Sequence, residues 1–237
     1  MSRTLVLGGT GEGLRLARRL GADDVYSVAG LGMMPEGLSC ALRVGGFGGV
    51  EGLRRYLEET GMDRVIDATH PYAAQISAHA RAATHALGLP LWAIRRPVWL
   101  PGIGDDWRMV EDWEAILAAI AGFRRPLFTL GREPLAHLET IPETQHWTIR
   151  CLEAQPARAR ASIIADRGPF ALDAERALFA REGFDVIVSK NSGGDATHAK
   201  LIVARERGLP VVMLRRPRLP DADRTFESVE SLLEALP

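Results

Sequence analysis

Lysine is almost missing from this chain. Of its 29 Lys and Arg residues, 27 are arginines, and both lysines, Lys190 and Lys200, fall in one short segment, VSKNSGGDATHAK, at 188–200. A surface that uses arginine for ordinary charge has no need of lysine. Two retained lysines therefore point to places that want a compact ammonium on a flexible stem rather than a planar fork; chance clustering is the plain alternative. Cysteine is nearly as scarce. Cys40 and Cys151 are far apart and show no CxxC spacing, as expected of buried thiols in a reducing cytoplasm. Long apolar runs are lacking: the most hydrophobic stretches are strand-sized, so no transmembrane helix is expected. The first strand begins at Thr4, with no apolar signal region before it. The net charge of −1 gives no general attraction to nucleic acid or membrane, so any basic site must be local. HExxH, GxSxG and clustered His and carboxylate patterns are absent, and no metal is expected.

What is present is written twice. GLPLWAIRRP at 88–97 matches GLPVVMLRRP at 208–217 in six of ten positions at an offset of 120. RMVEDWEAILAAI at 108–120 aligns with RTFESVESLLEAL at 224–236 at an offset of 116, and RTLVLGG at 3–9 echoes RPLFTLG at 125–131. These pairs divide the chain into two similar halves, 1–121 and 122–237. Each half alternates short apolar strands with helical patterns. In the first, strands at 4–7, 25–28, 41–44, 64–67, 91–94 and 107–110 alternate with helices at 12–20, 50–60, 72–87 and 114–121. The second repeats the scheme, with strands near 127–130, 145–149, 162–165, 185–188 and 211–214. Such alternation means a parallel sheet covered by helices on both faces. The expected fold is α/β: two similar Rossmann-like domains with a ligand cleft between them, beyond the strand C-termini.

The first turn, GGTGEG, comprises Gly8, Gly9, Thr10, Gly11, Glu12 and Gly13. Glycines between a first strand and a first helix let the backbone approach a pyrophosphate, whose charge the helix N-terminus stabilises. A merely tight βα turn is the competing reading, since the third glycine comes one place earlier than in GxGxxG. Strand two ends Ser27-Val28-Ala29-Gly30, without the carboxylate that would hold a free ribose 2′-hydroxyl. That disfavours NADH and tolerates NADPH, although Leu31 stands where an arginine would be welcome. Gly46, Phe47 and Gly48 follow strand three and are candidates to lie against the adenosine. Thr69 and His70, in DATHP at the end of strand four, border the switch-point crevice, where His70 can donate a proton or bind cofactor phosphate. Helix capping by Thr69, with Pro71 at the first helical position, accounts for the same residues.

The second half opens differently. Arg132 stands in its first turn and would block a pyrophosphate while suiting a carboxylate. Arg167 adds a basic turn in RGPF. Lys190, Asn191, Ser192, Gly193 and Gly194 form a strand-to-helix turn whose amides and ammonium suit an anion. Lys200 is expected about two turns along that helix. Labour is thus divided, with the cofactor on the first half and an anionic substrate on the second.

The set GGTGEG, DATHPYAAQIS at 67–77, RRP at 95–97, RGPF at 167–170 and VSKNSGG with AK at 188–200 resembles the precorrin-6A reductase family of cobalamin biosynthesis, over nearly the whole chain and in the right order. The resemblance implies NAD(P)H-dependent reduction of one double bond of the precorrin-6A macrocycle to give precorrin-6B. That substrate carries many carboxylates, which suits the basic second half. An Arg often follows the Ala-Gly at the end of strand two in the family, where this chain has Leu31. The reading is a cytoplasmic NADPH-dependent oxidoreductase, with His70 and Lys190 as candidate catalytic residues and no metal, nucleic-acid or membrane partner. The alternatives are an NADH-dependent enzyme of the cobalt-containing branch and a non-catalytic NADP-binding sensor. Oligomeric state is not legible.

Overall fold

The computed structural model describes residues 2–30, 35–154, 156 and 158–236; Leu31 lies outside them. Two compact units emerge, one made of Met1–Pro97 with Pro217–Pro237 and the other of Val98–Arg216.

The first unit is a parallel six-stranded sheet. Its strands are β1 (Thr4–Leu7), β2 (Val25–Val28), β3 (Ala41–Val44), β4 (Arg64–Asp67), β5 (Leu91–Ile94) and, from the end of the chain, β12 (Arg224–Phe226), in the order β12-β5-β4-β1-β2-β3. Helices α1 (Gly11–Ala17), α2 (Gly49–Thr60), α3 (Ala74–Leu87) and α7 (Val229–Glu234) cover it. On one face Leu16, Ala17, Val229 and Leu232 pack on Val6, Tyr26, Ile66 and Trp92. On the other Leu53, Leu57, Ala80 and Ala83 pack on Leu5, Leu7, Val65 and Leu91. Strands buried on both faces carry near-continuous apolar runs rather than alternating ones; every residue of β1, β4 and β5 is buried, with the polar Thr4, Arg64 and Asp67 only at strand ends.

The second unit repeats the plan. Its strands β6 (Trp107–Val110), β7 (Pro126–Thr129), β8 (Trp147–Cys151), β9 (Ala161–Ala165), β10 (Val186–Lys190) and β11 (Val211–Leu214) lie in the order β6-β11-β10-β7-β8-β9, all parallel. Its helices are α4 (Trp113–Ile120), α5 (Leu172–Glu182) and α6 (Ala199–Glu206), with a 3₁₀ segment at Glu133–Thr140. The repeat survives in detail. Register pairs Leu5 with Val65 and Val65 with Leu91, and Leu127 with Ile187 and Ile187 with Val211. Asp112 caps α4 by accepting from Ala115 N at 2.9 Å, and Ser228 caps α7 by accepting from Ser231 N at 3.1 Å.

Three expectations need correction. The division at 121/122 gives way to 97/98 and 216/217, because the two halves exchange last strands: β6 joins β11 and β12 joins β5. The helix expected from Ser192 begins only at Ala199. Gly193 and Gly194 take φ of 67° and 73°, and left-handed residues in succession cannot start a right-handed helix. Finally, α3 starts at Ala74, without a side-chain cap. Pro71 precedes it in a turn closed by the Ala73 N–H on His70 O at 2.8 Å, so the capping account of Thr69 and Pro71 fails.

Candidate functional site

At the C-terminal edge of the first sheet the opening turn is tightly built from within and bare on its outer side. A side chain on Gly8 would strike the Tyr26 ring at 2.1 Å, while one on Gly9 or Gly11 would meet open space. Gly9 has φ 101°, which L-residues with side chains rarely adopt. Its N–H donates to the Tyr26 hydroxyl at 3.1 Å. Thr10 Oγ1 accepts from Gly13 N at 3.0 Å and donates to Ala68 O at 2.7 Å, which ties the turn to the end of β4. Glu12 and Arg96 pair at 2.8 Å, both mostly buried, and line a small cavity with Thr10, Ala68, Thr69, Pro71 and Ile94. Burial alone would raise the Glu12 carboxyl, but Arg96 and the turn's own amide hold it below the ordinary carboxylate range.

The end of β4 is organised by Asp67, which is fully buried. Its carboxylate accepts from Thr69 N at 3.0 Å, Thr69 Oγ1 at 2.6 Å, Ser77 Oγ at 2.6 Å and Arg95 Nη2 at 2.5 Å. Burial pushes its pKa up, and Arg95 with the two hydroxyls outweighs that to leave it lowered. Thr69 is therefore a brace, and the loop it braces presents His70, half-buried, with its ring 5.6 Å from that of Tyr72. Gly30 takes φ 95° at the end of β2. Beside it, the loop holding Gly46, Phe47 and Gly48 is pinned by Arg43, which donates to Gly45 O at 2.6 Å and Gly46 O at 2.9 Å and lies 3.7 Å over the Phe47 ring.

The corresponding edge of the second sheet is closed. Lys190 Nζ donates to Leu130 O at 2.9 Å and lies 3.2 Å from Glu133 Oε2, so the ammonium sits on the first turn itself. Arg132 is exposed, 3.6 Å from Glu153, and Arg167 is exposed on the turn after β9. That turn folds back: Phe170 N donates to Ala196 O at 3.0 Å. Asn191 is buried and clamps Trp99 on both sides, accepting from Trp99 N at 2.8 Å and donating to Trp99 O at 3.0 Å. Its own carbonyl accepts from Arg216 Nε at 2.7 Å. Its side chain is spent on the protein, as is Lys200. That lysine lies in the first turn of α6, buried, donating to Thr197 O at 2.9 Å and 5.0 Å from the Trp99 ring. Burial, with Arg150 nearby, pushes its pKa down to about 7, against a smaller opposite pull from Glu175. Of the expected second-unit residues, Lys190 and Arg132 come together at one strand edge, while Asn191 and Lys200 serve the loop.

The comparisons with known proteins agree over the whole length. A model of the precorrin-6x reductase CbiJ/CobK family matches residues 3–237. The chain belongs to that family. It is 39% identical over 238 residues to a precorrin-6A reductase of Rhodococcus erythropolis, covering 97% of this chain and 95% of the relative. It is 41% identical over 236 residues to one of Mycobacterium tuberculosis, with 97% and 95% covered. A cobalt-precorrin-6A reductase of Salmonella typhimurium is 27% identical over 255 residues, covering 98% and 94%. A solved structure described as CobK precorrin-6A reductase superposes with a TM-score of 0.89 at 38% identity, covering 99% of this chain and 96% of that one.

Within this family member, sequence reasoning missed Asp67, Arg96, Arg43 and Trp99. Asp67 and Arg96 were in plain view, inside DATHP and RRP. Arg43 announces itself as a cation two residues before a glycine loop. Trp99 carries no local signal, since its role rests on Asn191, distant in sequence. Among the described residues no helix is long and apolar enough to cross a membrane.

Proposed function

We propose that this chain is an NADPH-dependent precorrin-6A reductase. Its first unit takes the cofactor, and its second supplies cations to the carboxylates of the tetrapyrrole. The observation that carries the reading is likeness at 38–41% identity, over nearly full length, to proteins named precorrin-6A reductase. Relatives named for the cobalt-containing substrate stand at 25–27%, which favours the metal-free macrocycle.

The first turn fits a dinucleotide. Gly9 and Gly11 leave the backbone bare where a pyrophosphate would approach, and Thr10 and Gly13 hold the turn to α1. Glu12 puts a carboxylate in that neighbourhood, and Arg96 neutralises it. When bound, NADPH supplies a hydride for one carbon of the macrocycle double bond. This chain's own residues position and protonate. Asp67, through Thr69, sets the loop that presents His70, and the imidazole is our candidate to give a proton to the neighbouring carbon. Lys190, anchored on Leu130 O and paired with Glu133, can exchange that partner for a substrate carboxylate, as can Arg132 its Glu153. A biosynthetic reductase of this kind is expected in the cytoplasm.

Steady-state oxidation of NADPH and of NADH with precorrin-6A tests the reading. Turnover several-fold or more faster with NADPH is expected. Tight NADP⁺ binding without turnover would instead make the chain a sensor, and faster turnover with NADH and the cobalt-containing substrate would move it to the other branch.

A further inference from the structure

Strand β2 runs into Ala29-Gly30 without an acidic residue, and none occurs between residues 25 and 30 or between 41 and 50. In dinucleotide folds this is where the adenosine ribose comes to rest: a carboxylate there holds a free 2′-hydroxyl, and an arginine nearby accommodates a 2′-phosphate. The structure supplies such an arginine from the next strand. Arg43 stands on β3 opposite Ser27 of β2 in the parallel register. The two strand ends lie side by side, since Gly45 N donates to Val28 O at 2.9 Å and a Cβ on Gly30 would come within 3.2 Å of Val44 Cγ1.

The guanidinium is held before any ligand arrives. It lies 3.7 Å over the Phe47 ring and 5.1 Å from that of Tyr56, while Nη1 and Nη2 each donate to a loop carbonyl, of Gly45 and Gly46. Those bonds engage only part of its donor set, and the side chain is only part-buried. Stacking and hydrogen bonding fix the plane of the fork, which lowers the entropy lost when it meets a phosphate. The geometry points to Arg43 as the residue that selects the cofactor, by binding the 2′-phosphate on the adenosine ribose. This rests on placing the cofactor on the first unit. The competing role is purely internal: a brace that keeps the glycine loop in shape and would matter equally to any dinucleotide.

The test compares NADP⁺ with NAD⁺, and 2′,5′-ADP with 5′-AMP, by titration of the whole protein. The wild type is expected to prefer the ligand with the 2′-phosphate in both pairs. Arg43→Gln should weaken NADP⁺ and 2′,5′-ADP about ten- to a hundredfold, as expected for a charge-assisted contact, with NAD⁺ and 5′-AMP unchanged. Arg43→Lys, which keeps the charge without the fork, should retain part of the preference. Equal losses for both members of each pair would reduce Arg43 to a loop brace and overturn the assignment, and so would an undiminished preference in Arg43→Gln. A wild type with no preference for the 2′-phosphate would refute the choice of NADPH itself, before any variant is made.

Discussion

After β1 the first unit continues Gly8-Gly9-Thr10-Gly11-Glu12-Gly13, and after its counterpart β7 the second continues Leu130-Gly131-Arg132-Glu133-Pro134. The strand registers align Gly9 with Gly131, and both take positive φ, 101° and 77°. They align Ala68 with Lys190 and Gly11 with Glu133. The same backbone corner is thus built twice and finished in opposite ways. In the first unit Thr10 ties the turn to Ala68 O and leaves the glycines bare. In the second Lys190 and Glu133 pair across the corner, and Lys190 holds Leu130 O. A duplicated fold keeps its scaffold because the core demands it. Its strand-end turns diverge because a few side chains there decide whether the corner is left without side chains, as at Gly9 and Gly11, or filled by a paired cation, as at Lys190.

That comparison can be broken at matched positions. The largest effect is expected at His70, whose counterpart is Ser192. His70→Asn should lower turnover at saturating substrate by roughly 10²–10⁴, the usual worth of a positioned acid, whereas Ser192→Ala should cost far less. A change in thermal stability alone would return His70 to a structural role. Next comes the pair Asp67 and Ser189. Asp67→Ala strands the Arg95 guanidinium and should cost about 3–5 kcal/mol; Ser189→Ala removes one hydroxyl, worth about 1 kcal/mol. Urea midpoints of the two variants measure this, and equal costs would mean that the Asp67 network does not set the first unit apart. Because the Asp67 carboxyl is held below its unfolded value, its stabilisation is complete above about pH 4 and fades as pH falls through the folded pKa. Asp67→Asn should remove that acid-side loss.

The ligand-binding contrast is smaller. Gly11→Asp adds negative charge to the bare turn and should weaken NADP⁺ by an order of magnitude or more. Lys190→Ala should leave NADP⁺ alone and weaken precorrin-6A about ten- to a hundredfold. Fluorescence titration of both ligands against both variants would show the reverse pattern if the two halves have been assigned the wrong way round. The last contrast is one of pH dependence and belongs to Lys200. With a folded pKa near 7 and an unfolded one near 10.4, the unfolded chain binds more protons between those values. The Lys200 contribution to stability therefore rises with pH in that window, by up to about 1.4 kcal/mol per pH unit. Lys200→Met should flatten the slope by about that amount. An unchanged slope would mean that the ammonium is better solvated than its burial suggests.

Much of this was legible from the residues. Short apolar-rich runs, each followed by a glycine or polar turn, located β1 to β11 to within a residue or two, and the repeated RRP and RMVE/RTFE segments revealed the duplication. The exchange of last strands was not legible, because β6 and β12 are short, similar in pattern and equally able to extend either sheet edge. The start of α6 is hidden in the sequence because Gly193 and Gly194 resemble an anion turn at a helix N-terminus, yet both adopt left-handed backbone that ends one turn without opening another. At the site, the glycine turn and DATHP stood out as short motifs. The jobs of Asn191 and Lys200 did not, since both are decided by Trp99, about a hundred residues earlier.

Hydrogen–deuterium exchange of the wild-type protein with and without NADP⁺ bears most directly on the division between the two turns. New amide protection is expected at Gly9–Gly13 and Gly46–Gly48, and none at Gly131–Glu133. Protection at Gly131–Glu133, with Gly9–Gly13 unchanged, would contradict that division.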